Sequence, residues 1–246
     1  MWKMLHRPTR PSVPANLRVY AIGDVHGRLD LLNRMLELID RDASEARGLT
    51  PVRVFLGDYV GRGPDSAGVI AKLVELHNWC PDTIFLRGNH EQMLLDFFNN
   101  PNCYRAWSQI GGERTLLSYD VMPPLFDEDS TLEEIRDAFV LALPEHHLRF
   151  ISSTKYMHVI GDYLFAHAGI QPNIKFNEQA PHDLMWIRDE FLSSSKKFEH
   201  VVVHGHSGQK TPVVRPNRIG IDTIAYKTGK LTALVLEGTK RRFLTT

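Results

Sequence analysis

Asp24 and His26 stand two positions apart in Gly23-Asp24-Val25-His26-Gly27. A carboxylate and an imidazole at that spacing can converge on one cation from an irregular turn, and the flanking glycines let the backbone come close to it. Taken alone, the pair could equally be a helix cap and a solvated loop histidine. Asp58 follows in Gly57-Asp58-Tyr59-Val60-Gly61-Arg62-Gly63-Pro64. Its two oxygens can bridge two cations, and the planar fork of Arg62 suits phosphate oxygens. The plainer reading makes Asp58 a turn former and Arg62 a surface charge. Gly88-Asn89-His90-Glu91 adds an amide oxygen able to ligate a metal and an imidazole able to protonate a leaving oxygen. There Asn89 could be a helix cap, and Glu91 reads as a first-turn residue favoured by the helix N-terminus.

These clusters share a setting. RVYAI at 18–22, VRVFL at 52–56 and TIFL at 83–86 are apolar runs, each entering one cluster and each followed by a stretch of helical periodicity. The helical stretches begin at Arg28, at 67–77 and at 91–98. Repeated strand-loop-helix units imply parallel strands with right-handed crossovers, which places the loops at the strands' carboxyl ends along one crevice. Repetition weakens the plainer readings, which treat each cluster as an isolated turn.

The second half supplies further imidazoles after apolar runs: His167 in Phe165-Ala166-His167-Ala168-Gly169, and His204 and His206 in Val203-His204-Gly205-His206-Ser207. Spacing does not decide between the last two, since one could ligate while the other orients it. Trp186-Ile187-Arg188 brings a second guanidinium. The remaining histidines, His6, His77, His146, His147, His158, His182 and His200, lack this setting and read as core or surface residues. A helix is expected at 131–142 with Pro144 closing it, and strands at 147–151, 156–160, 163–167, 201–205, 218–222 and 231–236. Gly161 and Asp162 read as a tight hairpin between two of these strands.

Bulk properties narrow the partners. The 246 residues carry 29 basic and 29 acidic side chains, which gives no general electrostatic case for nucleic acid. No run approaches a membrane span, so no membrane partner and a cytoplasmic location are expected. Cys80 and Cys103 have neither zinc nor disulfide spacing and read as ordinary thiols. A chain of this size buries roughly 70% of its unfolded surface and needs no covalent staple. One layered α/β domain over 17–246 is expected, with a loose basic arm over 1–16 and a solvated acidic loop at Asp127-Glu128-Asp129.

GDVHG at 23–27, GDYVGRG at 57–63, GNHE at 88–91, HAG at 167–169 and GHS at 205–207 together resemble the phosphoprotein phosphatase branch of the calcineurin-like metallophosphoesterases, in its compact bacterial form. The resemblance runs from about residue 18 to the C-terminus and includes DLMWIRDEFL at 183–192. It implies an α/β fold with a central two-sheet β-sandwich flanked by helices. It also implies two divalent ions, manganese first with iron or zinc as alternatives, held by Asp24, His26, Asp58, Asn89, His167 and His206. The implied reaction is in-line attack on phosphorus by a hydroxide bridging the ions, with Arg62 and Arg188 clamping phosphate and His90 as general acid.

One position departs from the pattern. Gly61 stands where the branch carries an aspartate that pairs with the residue matching His90, orienting the ring and raising its pKa. Symmetrical diadenosine-tetraphosphate hydrolases resemble the chain at this point, having a small residue there, but they end the third motif in Asp rather than Glu. The expectation is therefore a serine/threonine-type protein phosphatase acting on phosphomonoesters. The alternatives are a dinucleoside polyphosphate hydrolase, whose leaving group needs less protonation, and a metal-holding binding module with impaired turnover.

Overall fold

The computed structural model describes residues 10–123 and 131–246. The first nine residues, His6 among them, and the stretch Asp127-Glu128-Asp129 lie outside those described.

The chain runs β1 (Leu17–Ile22), α1 (Leu29–Glu45), β2 (Thr50–Phe55), α2 (Ser66–Trp79), β3 (Thr83–Phe85) and α3 (Asn89–Asn99). Shorter helices follow: α4 (Tyr104–Gln109), α5 (Gly112–Ser118), α6 (Leu132–Ala142) and α7 (Glu145–Ser153). Next come the hairpin β4 (Met157–Ile160) and β5 (Tyr163–Ala166), then α8 (Pro181–Trp186), α9 (Asp189–Leu192), β6 (Val201–His204), β7 (Val213–Val214) and β8 (Arg218–Gly220). The chain closes with α10 (Ala225–Thr228), β9 (Thr232–Glu237) and β10 (Lys240–Thr245).

Two five-stranded mixed sheets result, ordered β10-β9-β1-β2-β3 and β4-β5-β6-β8-β7. β1, β2 and β3 are parallel, as the repeated units require, while β9 returns antiparallel beside β1. In the second sheet β5, β6 and β8 are parallel.

Strand alternation explains the layering. Val19 and Ala21 of β1, Val52 and Val54 of β2, and Leu234 and Leu236 of β9 share one buried cluster with Tyr163, Phe165, Val201, Val203 and Ile219 of the other sheet. Their neighbours Tyr20, Ile22, Phe55, Ala233 and Val235 point the opposite way, into a cluster with Leu32, Met35, Ile39, Val69, Ile70 and Leu94 of the helices. Leu164, Ala166 and Val202 pack outward under Leu184, Ile187 and Phe191. The expected two-sheet α/β fold with helical flanks is thus the observed one, with period-2 side chains serving both faces.

Two readings change. The run 147–151, expected as a strand, lies inside α7, where His147, Phe150 and Ile151 are the buried residues. That is one helical stripe; five residues were too few to separate the two periods. The arm is held from Ser12 onward. Val13 is buried, its N–H donates to Gly238 O at 3.0 Å, and Ser12 O accepts from Asp162 N at 2.9 Å.

Candidate metal centre

The loops after β1 and β2 are bonded to each other through their main chains. Val25 N and His26 N both donate to Asp58 O, at 3.1 and 2.8 Å, and Gly27 N donates to Tyr59 O at 2.8 Å. In return, Gly63 N and Asp65 N donate to His26 O and Gly27 O, each at 3.0 Å. Holding these turns demands unusual backbone: His26, Asp58, Arg62 and His206 all have positive φ, between 47° and 65°. Non-glycine residues rarely adopt it, and such conformations persist only where surroundings enforce them.

Glu91 enforces much of the second loop. Its Oε2 accepts from Asp58 N at 2.8 Å and Gly88 N at 3.0 Å, while Oε1 accepts from Tyr59 N at 2.7 Å and Val60 N at 3.2 Å. The side chain is fully buried. Burial, and then the Asp58 charge, push its carboxyl up to about 7, against the amides that favour the anion. Sequence reading treated Glu91 only as a first-turn residue. It does cap α3, but the same carboxylate also ties the second motif to the third. Gly88 makes this contact feasible, because a Cβ there would collide with Asp58 Oδ1.

Around Asp58 the imidazoles converge. His167 Nε2 lies 3.2 Å from Asp58 Oδ1 and 3.0 Å from Asn89 Oδ1, and its Nδ1–H donates to Leu56 O at 2.9 Å. His26 Nε2 lies 3.5 Å from Asp58 Oδ2, with its Nδ1–H donating to Val60 O at 3.1 Å. Each carbonyl takes the Nδ1–H and leaves Nε2 as the nitrogen that meets the carboxylate, where it donates when protonated and offers its lone pair to a cation once deprotonated. His90 Nε2 is 3.7 Å from Asp58 Oδ2. Two groups, His26-Asp58-His90 and Asp58-His167-His206, each place their ligand atoms within 4.8 Å of one another and share Asp58.

Asp24 belongs to neither group. Its Oδ2 accepts from His206 N at 3.0 Å, while its Oδ1 is buried without a partner, as is His206 Nε2. Asp222, two residues beyond β8, lines a cleft with Asp58 and His206. Burial, and then Asp222, hold the Asp24 carboxyl well above its ordinary range. At Asp58 burial opposes ionisation, yet His167 and then His90 hold its carboxyl well below. Against burial, Asp58 lifts His167 to about 10. Asp24, Asp58 and Asp222 are three buried carboxylates close enough to perturb one another. Buried orphan donors and fixed lone pairs aimed inward are what two divalent cations require, so the residues fit such a pair.

The cleft has a volume of about 270 Å³. Arg62 and Arg188, both solvent-exposed, line its mouth, and the Arg62 guanidinium lies over the Tyr226 ring, 5.7 Å from its centroid. Ile110, Trp186, Ile224, Tyr226 and Lys227 complete the wall. Of the two late histidines, His206 faces this cleft, whereas His204 lines a neighbouring cavity with Arg218 and packs against Phe191. Sequence reading missed Asp222, Ile224 and Tyr226. RIGID at 218–222 offered the same strand-end signal as the earlier motifs, but nothing in it pointed to the residues beyond.

His90 differs from the other ligand-site rings. Its Nδ1 is buried and unpartnered, and a Cβ at Gly61 would sit only 2.5 Å from it. Burial lowers this imidazole to about 3.

Comparison with known proteins agrees with this architecture. The asymmetrical bis(5'-nucleosyl)-tetraphosphatase PrpE of Bacillus thuringiensis (strain Al Hakam) is 24% identical over 230 residues, covering 87% of this chain and 88% of its own. Serine/threonine-protein phosphatase 1 of Salmonella typhimurium is 38% identical over 78 residues, 32% of each chain. Among solved structures, one provisionally described as a diadenosine tetraphosphatase superposes with a TM-score of 0.63 at 21% identity, covering 96% of this chain and 98% of that one. The cold-active protein-tyrosine phosphatase of a Shewanella species superposes at 0.57 with 17% identity, covering 95% and 83%. At such identities the superpositions speak for the fold. Helix lengths leave no candidate for crossing a membrane among the described residues. The relatives are spread over several phosphoester hydrolases, but residues 17–230 match one family model, the calcineurin-like phosphoesterases, and the chain belongs to that family.

Proposed function

We propose that the chain hydrolyses phosphoanhydride bonds of dinucleoside polyphosphates, with two divalent ions, manganese first, held by Asp24, His26, Asp58, Asn89, His167 and His206. The observation that carries this reading is the unpartnered Nδ1 of His90 behind Gly61. An alkoxide leaving group needs a proton in the transition state, and a buried imidazole with no carboxylate behind its Nδ1 is a poor source of one. A polyphosphate leaving group departs as a stable anion and needs it far less. The PrpE relative and the solved tetraphosphatase neighbour support the same substrate class. This reading therefore moves ahead of the protein phosphatase expected from the motifs alone.

When bound, the ions would supply a water of lowered pKa and neutralise developing negative charge. The protein's own groups do the rest. Leu56 O and Val60 O fix the rings of His167 and His26, and Glu91 holds the Asp58 turn. Arg62 and Arg188 at the mouth orient phosphoryl oxygens, with the Tyr226 ring steadying Arg62.

The phosphomonoester reading keeps support in the Salmonella phosphatase match. Rates on diadenosine tetraphosphate, a phosphoserine peptide and an aryl phosphate, measured side by side with manganese, decide between them. We expect the tetraphosphate to lead in kcat/KM. A lead for the phosphopeptide overturns the proposal, and absent turnover on all three with two ions bound leaves the impaired binding module.

A further inference from the structure

Ile224 is a β-branched residue in the left-handed region, at φ 55° and ψ 48°. A branched Cβ crowds the backbone there, so glycine or asparagine would be the easier choice. The conformation is nonetheless enforced from both sides. Ile224 N donates to Asp222 Oδ1 at 2.8 Å, and Ile224 O accepts from Lys227 N at 2.8 Å and Thr228 N at 2.9 Å. Opposite, Gly208 lacks the Cβ that would come within 2.6 Å of Ile224 Cγ1, so the loop after His206 leaves room for this side chain.

The side chain is spent on the cleft. It lines the wall with Ile110, Trp186 and Tyr226, while Arg62, Arg188 and Lys227 line the same cleft. A ligand with phosphates at the cations and a flat, weakly polar group against the apolar wall satisfies both linings; a bare polyphosphate satisfies only one. We infer that Ile224 is a specificity-determining residue, forming with Ile110 and Trp186 a subsite for a nucleobase of the substrate. This rests on the anhydride reading above.

The test compares the manganese-loaded full chain with Ile224→Gly and Ile224→Asn, both of which suit the left-handed backbone. For each, kcat/KM is measured on diadenosine tetraphosphate and on inorganic tripolyphosphate. Loss of the wall should lower the ratio of the first to the second about 10-fold, mainly through KM for the dinucleotide. Thermal unfolding of Ile224→Gly should be no earlier than that of the parent chain, as expected of a side chain placed for binding rather than packing. A ratio unchanged in both variants overturns the inference, whatever the unfolding temperature. If the parent chain cleaves neither substrate, the anhydride reading fails; if it cleaves them and the ratio does not move, only the subsite fails.

Discussion

The two sides of the Asp58 carboxylate are supported very differently. On one side His167 is fixed at both nitrogens, by Leu56 O and by Asn89 and Asp58. On the other His90 contacts Asp58 through one nitrogen, while the second faces Gly61 with nothing to bond. Both rings are buried, so burial is not what separates them. Holding cations and delivering protons make separable demands: the first needs nitrogens and carboxylates locked inward, the second a carboxylate behind the ring, and only the first pattern is present around Asp58.

Asp58 is common to both sides, so its replacement has the largest expected effect. Asp58→Asn should lower turnover about a thousandfold and reduce the ions bound, read by calorimetric titration of manganese into metal-free protein. Full activity in that variant would remove Asp58 from the centre. A milder disturbance is Glu91→Gln, which replaces an acceptor-only clamp by an amide and should weaken manganese binding by about 10- to 100-fold with folding retained. Unchanged affinity would mean the Asp58 turn holds itself.

Gly61→Asp acts on the less supported side, behind His90. Aspartate tolerates the φ of +81° better than most residues, although its Cβ must displace the His90 ring. A carboxylate there favours the imidazolium, so the acid form should persist to higher pH. The alkaline limb of the aryl phosphate profile should move upward, with a rate gain of about 10-fold that diadenosine tetraphosphate does not share. An equal gain on both substrates would deny His90 its role as acid.

His147, away from the cleft, offers the smallest effect and a control. Its Nδ1 bonds to the Tyr119 hydroxyl at 3.0 Å, and burial, then His146, lower it to about 4 from 6.5. The unfolded chain therefore binds a proton first as pH falls. Stability from this residue is complete above about pH 6.5 and declines toward pH 4, where the folded form also titrates. Urea unfolding at a series of pH values should show that decline, flattened in His147→Gln.

How much of this was readable beforehand follows from what each feature depends on. Asp24, His26, Asp58, Asn89 and His90 were legible because each follows an apolar strand, and strand ends in parallel sheets converge. His167 was legible for the same reason. The rest depends on contacts between distant segments. Spacing alone did not choose His206 over His204, which the resemblance did; on physical grounds the choice required knowing which face of the loop after β6 meets the cleft. The four-amide clamp of Glu91 required the second and third loops to be adjacent. Ile224 was hidden because its significance lies in a backbone angle, and α7 was misread because its apolar run is too short to reveal a period. The fold was accessible through repetition, whereas the supporting shell of the site was not.

The main-chain bonding between the first two loops has a consequence for how such a site can change. Five amide-to-carbonyl bonds join residues 25–27 to 58–65 without using any side chain. These five bonds do not depend on the side chains at positions 26 and 58, so a substitution there that tolerates the positive φ changes the donor set without cutting them. The similarity of this chain to a tetraphosphatase and to a protein phosphatase is compatible with such a frame, in which the site can vary while the scaffold stays.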